Sequence, residues 1–245
     1  MKKIIFGLLL LIPLQIVRGQ DVQEIPKTTQ LVVGVQFGGF SSLASSTNSE
    51  KIITTAMIPS SRAYYKEPKR GWNFNGDIHY MVADNFGVGA KYLFYSSGIS
   101  QNFTINILSP FPEYVYVGIS EREYINYTGP SAIFKQWLND KHKFRLTETF
   151  SIGYVHYRNE MRQTLAMPNL FQPNILAKNN TWGACAGLSF DYYHLSWLSI
   201  GVNAGLMYAH LTKVDIFTQK LTRLLELDKN NFMRLDYSLG IRFHY

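Results

Sequence analysis

The last segment of the chain constrains the fold most, because its side chains alternate without interruption between two classes. From Met233 to Tyr245, every odd-numbered position is apolar or aromatic. The even-numbered positions between them carry Arg, Asp, Ser, Gly, Arg and His. A period of two is the period of a β-strand, whose successive side chains point to opposite faces. The segment therefore predicts a strand with one apolar face and one polar face.

Seven further segments alternate in the same way, so the sequence predicts eight strands. These segments begin near Leu31, Trp72, Val88, Glu123, Phe144, Trp182 and Leu198. The fourth, Glu123 to Trp137, is the weakest, because Lys135 shares a face with Ile125, Tyr127 and Ile133. Each segment has roughly nine residues or more, which is enough for a tilted strand to cross a bilayer.

The predicted connections alternate between short and long. Tight turns are expected at Ala83–Phe86, Leu138–His142 and Tyr193–Ser196, and long loops at Ser41–Gly71, Ser97–Arg122, Arg158–Asn180 and Leu211–Asn230. Outer-membrane barrels have this asymmetry, with the long loops outside the cell. The predicted fold is therefore an all-β, eight-stranded antiparallel up-and-down transmembrane β-barrel with short periplasmic turns and four long extracellular loops.

A soluble, lipocalin-like barrel is the competing architecture, since it also has eight strands but points its apolar residues inward. The interior of an eight-stranded barrel is only just wide enough for side chains to fill. The many Tyr, Phe, Leu and Ile residues of this chain would not all fit there. We therefore expect the bulky apolar side chains to face lipid and the small and charged ones to fill the interior.

Targeting and composition support the same compartment. Residues 1–19 have a basic start and an apolar stretch and predict a secretory signal peptide; residues 20–30 would be a short periplasmic segment and 31–245 the barrel. Removing the signal lowers Lys plus Arg from 24 to 21 against 17 acidic residues, a net charge of about +4. No concentrated basic face indicates nucleic-acid binding. The single cysteine, Cys185, excludes an internal disulfide framework.

Charged residues on the predicted inner faces are the first candidate functional set. An isolated buried charge costs several kcal/mol, so opposite charges inside a narrow barrel should pair and plug it. A gated ion path is the alternative interpretation. The predicted network comprises Asp77, Lys91, Glu148, Asp191, Arg234, Asp236 and Arg242.

The sequence offers no catalytic, metal or cofactor site. Its six histidines are scattered, and no two have a spacing typical of metal ligands. His194-Leu195-Ser196 has the His-x-Ser order of outer-membrane lipid A deacylases. It falls at a predicted periplasmic turn, far from the outer leaflet, and we interpret it as coincidence.

The predicted long loops contain apolar side chains that a fully solvated loop would not carry. Phe217, Leu221, Leu224 and Leu225 have helical spacing and predict an amphipathic helix. This helix would cover the barrel mouth, dock a partner or lie on the membrane surface. The candidate contacts for a protein partner are Phe103, Ile105, Ile107, Phe111, Phe217, Leu221 and Leu224.

On these features the chain resembles the small outer-membrane β-barrels of the OmpA/OmpX type, and most of all the porin-like barrels of Bacteroidota. The carriers include Trp72-Asn-Phe-Asn-Gly-Asp, Phe86-Gly-Val-Gly-Ala-Lys-Tyr and Gly240-Ile-Arg-Phe-His-Tyr. The terminal strand also resembles the signal read by the barrel-assembly machinery, which would involve Tyr237, Leu239, Ile241, Phe243 and Tyr245.

The resemblance implies an integral protein of the bacterial outer membrane, in contact with membrane lipid and lipopolysaccharide. The function expected first is a non-enzymatic barrel whose loops serve surface and envelope interactions. An accessory subunit of a transport or secretion complex is the second expectation, and a lipid-modifying barrel enzyme is the third.

Overall fold

Eight β-strands account for nearly all of the described chain. A computed structural model describes residues 30–43, 70–108, 112–139, 142–165, 174–218 and 222–245. The predicted signal peptide lies outside these residues, as does nearly all of the segment predicted after it. The strands are β1 Leu31–Ser42, β2 Arg70–Ala83, β3 Phe86–Leu108, β4 Pro112–Trp137, β5 Phe144–Leu165, β6 Asn174–Leu195, β7 Leu198–Thr218 and β8 Thr222–His244.

The strands close into one barrel in chain order, and every neighbouring pair is antiparallel. The ring closes where β1 pairs with β8, for example at Val35 opposite Ile241. At the end of this seam the Tyr245 carbonyl accepts the backbone N–H groups of Gln30 and Leu31, at 2.7 and 3.0 Å. The predicted eight-stranded antiparallel up-and-down barrel is confirmed.

The two ends of the barrel differ. The "turn end" has the three short connections, after Ala83, Trp137 and Leu195, together with Gln30 and Tyr245. The "hairpin end" has the other four connections. Three predicted long loops at this end are wrong, because β3 to β8 continue as paired strands almost to their tips, as in the pair Leu108 and Pro112. Only β1 and β2 remain joined by a long segment, whose residues 44–69 lie outside the described chain.

The predicted amphipathic helix is also wrong. Phe217 of β7 lies in the last pair toward the hairpin end, opposite Thr222 of β8, and Leu224 pairs with Asp215; Leu221 lies outside the described residues. The helical spacing of these apolar residues therefore occurs in a pair of β-strands. Antiparallel pairing supplies the backbone hydrogen bonds of this segment instead.

An apolar belt surrounds the barrel from the turn end to about half of its height. Six outward-facing residues on neighbouring strands are direct cross-strand partners of one another and form one row of the belt: Phe74, Phe37, Leu239, Val202, Phe190 and Leu146. Many belt side chains are largely exposed, including Ile152 at 65% and Leu239 at 67%. The alternating inward positions are mostly polar, as the sequence predicts for this half.

Beyond the belt the barrel wall continues toward the hairpin end as a "collar" in which the polarity is reversed. Strand β5 shows the change without any break in its alternation. Its outward residues are first apolar except for Glu148, from Phe144 to Tyr154, and then polar: His156, Arg158, Glu160 and Arg162. Its inward residues are first polar, from Arg145 to Ser151, and then mainly apolar: Val155, Tyr157 and Met161.

The collar encloses a hydrophobic core, so the expectation that bulky apolar residues face outward is wrong there. Ile125 and Tyr127 of β4 are completely buried, and the core continues through Phe40, Leu93, Tyr95, Val155, Tyr157, Met207, Ala209, Leu211 and Phe232. A smaller inward cluster of Val32, Met81 and Ile133 lies near the turn end. The mixed face of the fourth predicted strand is therefore an inner face, which also explains why Lys135 shares it.

Candidate functional site

The predicted interior charges of the belt half meet in a hydrogen-bonded group around Asp191. Arg242 donates from Nη1 to Asp191 Oδ2 at 2.6 Å and from Nη2 to the Ser189 hydroxyl at 3.0 Å. The Thr147 hydroxyl donates to the same carboxylate oxygen at 2.8 Å. Both charged side chains are almost fully buried. A buried ion pair has lost its contacts with water, and good geometry and additional hydrogen bonds offset that cost.

Asp77 and Lys91 occupy the interior beside this group. An Asp77 carboxylate oxygen lies 3.1 Å from Nδ1 of His79, and the other ring nitrogen of His79 lies 2.7 Å from the Ser131 hydroxyl. Lys91 donates to the Thr149 hydroxyl at 3.5 Å. All of these polar side chains are buried. Asp77, Lys91, Asp191 and Arg242, which the sequence predicts for the interior, are thus all buried in the belt half of the barrel, and each contacts polar side chains.

Glycines make room for the carboxylates. A Cβ atom at Gly34, Gly201 or Gly205 would lie only 2.6, 2.2 or 2.1 Å from a carboxylate oxygen of Asp77, Asp191 or Asp236, respectively. Real Cβ atoms do not approach other atoms so closely. The inward glycines therefore let the neighbouring strand project its longer acidic side chain across them.

Arg234 and Asp236 lie at the boundary between the polar interior and the collar core. Arg234 donates to Glu123 Oε1 at 2.6 Å, and its guanidinium carbon lies 4.3 Å from the Phe40 ring centroid and 4.5 Å from that of Phe232. Asp236 accepts the Tyr95 hydroxyl at 2.6 Å. Aromatic faces favour a desolvated guanidinium. Side chains from four strands thus meet across the interior here.

The sequence-based prediction missed four buried charges: Glu121, Glu123, Lys135 and Arg145. Arg145 lies over the Trp137 and Tyr193 rings, at 3.7 and 4.7 Å from their centroids. Arg145 lies between Phe144 and Leu146, and the alternation of this strand could therefore have predicted that Arg145 points inward. With them, the described interior has five buried cations, namely Lys91, Lys135, Arg145, Arg234 and Arg242, and five buried acids, namely Asp77, Glu121, Glu123, Asp191 and Asp236.

Glu148 does not belong to the interior set, and its prediction as an inner residue is wrong. It occupies an outward position of β5, between the buried Thr147 and Thr149. Its cross-strand partners are Phe134 and Leu188 in the belt. The alternation of β5 is unbroken, so no bulge turns the carboxylate inward. Glu148 is therefore an ionisable residue on an otherwise apolar stretch of the outer surface.

The other predicted site residues are placed as follows. Tyr237, Leu239, Ile241, Phe243 and Tyr245 share the outward face of the last strand and its end; their role in assembly stays a prediction. Of the predicted loop contacts, Phe103, Ile105 and Ile107 lie in β3, Leu224 lies in β8 and Phe217 is exposed on β7. Phe111 and Leu221 lie outside the described chain.

The described ranges contain neither a candidate metal site nor a helix that could cross a membrane. There, no three His, Cys, Asp or Glu side chains form a group that could hold a metal ion. No helix among the same residues is long and apolar enough to cross a membrane. Cys185 is a free, buried thiol.

Comparisons with known proteins return solved outer-membrane proteins only as distant likenesses. No family model and no curated protein matches the chain. The outer membrane protease OmpT of Escherichia coli is 9% identical, with coverage of 91% of this chain and 99% of that chain and a TM-score of 0.47.

Two further structures show similar values. A major outer membrane protein of Thermus thermophilus is 10% identical, with 87% and 99% coverage of the two chains and a TM-score of 0.48. Neisserial surface protein A is 11% identical, with 88% and 97% coverage and a TM-score of 0.40. Likenesses with such identities and TM-scores carry no function over to this chain.

Proposed function

We propose that the chain is an integral β-barrel of the bacterial outer membrane, without enzymatic activity, that displays a rigid collar on the cell surface. The observation that carries this proposal is the exposed apolar belt. Along β5, β6 and β7 it runs from Phe144 to Tyr154, Trp182 to Tyr192 and Leu198 to Tyr208. These spans of about 11 residues match the length of a tilted strand that crosses a bilayer.

The reversal of polarity supports two different surroundings for one continuous wall. In water, a surface as apolar as the belt would be a strong aggregation hazard. The collar has the arrangement of a water-soluble barrel, with apolar residues inside and polar residues outside. A lipid bilayer around the belt and water around the collar satisfy both halves. The longer strands then extend outward from the cell, and the turn end faces the periplasm.

The interior contacts support a sealed barrel rather than a channel or a catalyst. The buried charges bind one another, as Arg242 binds Asp191 and Arg234 binds Glu123. Eight-stranded barrels are narrow enough for side chains to fill. The groups that would line an ion path are therefore engaged in joining strands across the interior, from β8 to β6 and from β8 to β4.

The collar would serve contact with other molecules outside the cell. Its paired strands hold outward side chains such as Arg158 and Phe217 at fixed positions, unlike a free loop. An accessory subunit of a transport or secretion complex is the second candidate. The exposure of the large apolar side chain of Phe217 on the collar favours it.

Three measurements test the proposal. The mature protein should require detergent or lipid to stay monodisperse, and a monodisperse protein in plain buffer would refute the membrane barrel. Planar-bilayer recordings should show no steady large openings; regular openings would refute the sealed interior. Lipid A from cells with and without the protein should have the same mass, and an altered acyl count would indicate an enzyme instead.

A further inference from the structure

A cationic patch lies on the outer surface of the collar, directly beyond the belt. It is formed by β4, β5 and β6. Among the collar side chains that the structure describes on these strands, the outward charged residues are Arg122, Arg158, Arg162, Lys178 and Glu160. Asp215 of the next strand faces Lys178 across the β6–β7 pair. Cations thus exceed acids on this part of the wall.

Two of these cations are placed face to face. Arg158 of β5 and Lys178 of β6 are direct partners in the register. Side chains in such pairs have Cβ atoms about 5 Å apart, and like charges in this position destabilise a sheet. Arg158 also contacts Glu160 on its own strand, in an exposed ion pair that contributes little to stability. An anion between Arg158 and Lys178 would relieve the repulsion.

Arg122 and Arg162 extend the patch on the other side of Arg158. Arg122 pairs with Glu160 and is therefore a diagonal neighbour of both Arg158 and Arg162. Diagonal neighbours on one face lie about 7–8 Å apart, within reach of long side chains. Arg162 donates to the Asn174 side chain at 3.3 Å at an exposed position. Guanidinium groups are suited to bind phosphate through two parallel hydrogen bonds.

The height of the patch selects the kind of anion. Tyr154 and Trp182 are cross-strand partners at the rim of the belt, with ring centroids 6.5 Å apart, and Trp182 is 69% exposed. Such aromatic residues occupy the headgroup level of a bilayer. Arg158 and Lys178 lie four residues further along their strands, roughly 10 Å higher when strand tilt is included. Their long side chains can bend back toward the headgroups.

We propose that this patch binds the phosphate of a lipid headgroup in the outer leaflet, with Arg158 and Lys178 as its centre. The occupant is a phosphorylated glycolipid of the lipid A type, because the patch lies just above headgroup height, within reach of its long side chains, and on the outward side. This inference rests on the proposed outer-membrane location and names a binding partner within it.

The test uses the full mature chain in detergent micelles, titrated with bisphosphorylated lipid A and followed by native mass spectrometry. The variants are Lys178→Gln and the double variant Arg158→Gln/Lys178→Gln. We expect the dissociation constant to rise about tenfold for each charge removed, since the loss of one hydrogen bond to a charged group has an effect of this size. Lys143→Gln is the matched control, because Lys143 is an exposed lysine at the turn end. It should leave binding unchanged.

Folding and charge are separated by a third variant. Arg158→Lys/Lys178→Arg keeps both charges and should bind lipid A within a few-fold of the unmodified protein. Heat-modifiable gel mobility reports whether each variant is folded. Equal binding by folded unmodified protein and the double variant would overturn the proposal. So would a loss as large in Lys143→Gln.

The source of the phosphate is tested in the same titration. Dephosphorylated lipid A should bind weakly, and inorganic phosphate at equal concentration should not displace the phosphorylated form. Tight binding of free phosphate alone would overturn the assignment to a lipid. A failure of the outer-membrane proposal has a different signature, because the protein would then be monodisperse without detergent before any ligand is added.

Discussion

Replacing Leu239 with arginine is expected to destabilise the barrel strongly in a lipid bilayer. Leu239 lies in the middle of the outward face of β8, between Phe37 and Val202, and two-thirds of its surface is exposed to the surroundings of the barrel (67%). The substitution therefore removes little internal packing. It places a guanidinium near the centre of the belt, where a cation on the lipid face costs about 2–4 kcal/mol.

The free energy of unfolding from phospholipid vesicles, measured with guanidinium chloride and tryptophan fluorescence, should fall by that amount. The equilibrium constant would change roughly 30- to 700-fold, since 1.4 kcal/mol is a factor of ten. Leu235→Arg is the matched control, four residues nearer the collar on the same face and 42% exposed. It should cost only about 0–1 kcal/mol, because the penalty falls toward the interface. Equal effects, or a Leu239→Arg effect below about 0.5 kcal/mol, would refute lipid contact at the belt.

Three further variants test other parts of the molecule in the same unfolding assay. Arg242→Met should cost about 3–5 kcal/mol, because it leaves the Asp191 carboxylate buried without its cation; Asp191→Asn in the same chain should recover part of the loss. Glu148→Leu should raise stability by about 1 kcal/mol, because it removes a carboxylate from the lipid face. Gly89→Ala should cost about 1–3 kcal/mol, since its Cβ would lie 1.8 Å from the Ile78 carbonyl oxygen.

Each variant has an outcome that contradicts its reasoning. Stability unchanged by Arg242→Met would mean that water reaches Asp191 and that the interior is not sealed there. A destabilising Glu148→Leu would show that the carboxylate has a partner outside the chain. If Gly89→Ala left stability unchanged, β2 and β3 would be able to shift apart enough to admit the methyl group while keeping their hydrogen bonds.

The strands and their order could be predicted from the sequence because a period of two is a direct consequence of strand geometry. Which face is inside could be predicted only where the surroundings are known. In the belt the polar face is inside, as for Asp77 and Arg242. In the collar the same rule inverts, and Ile125 is inside. Nothing in the local pattern of the fourth segment marks the height at which lipid gives way to water.

The interior site was therefore only partly predictable. The alternation of β8 predicted inward positions for Arg234 and Asp236, which are buried, but it could not name Glu123 and Tyr95 as their partners on distant strands. These contacts depend on barrel closure and register, which a single sequence does not specify. Glu148 was misplaced although the alternation of β5 puts it on the same outward face as Phe144 and Phe150. The extended hairpins were missed because their polarity departs from that of the belt.

Depth profiling along the outward face of β5 tests the central claim most directly. In a Cys185→Ser background, single spin-labelled cysteines at Phe150, Ile152, Tyr154, Arg158, Glu160 and Arg162 would be examined in bilayers for collisions with oxygen and with a water-soluble nickel chelate. The labels at 150, 152 and 154 should favour oxygen, and those at 158, 160 and 162 should favour the chelate, with the change between Tyr154 and Arg158. Chelate access at all six positions, or no change along the strand, would contradict a barrel whose lower half is surrounded by lipid and whose upper half is in water.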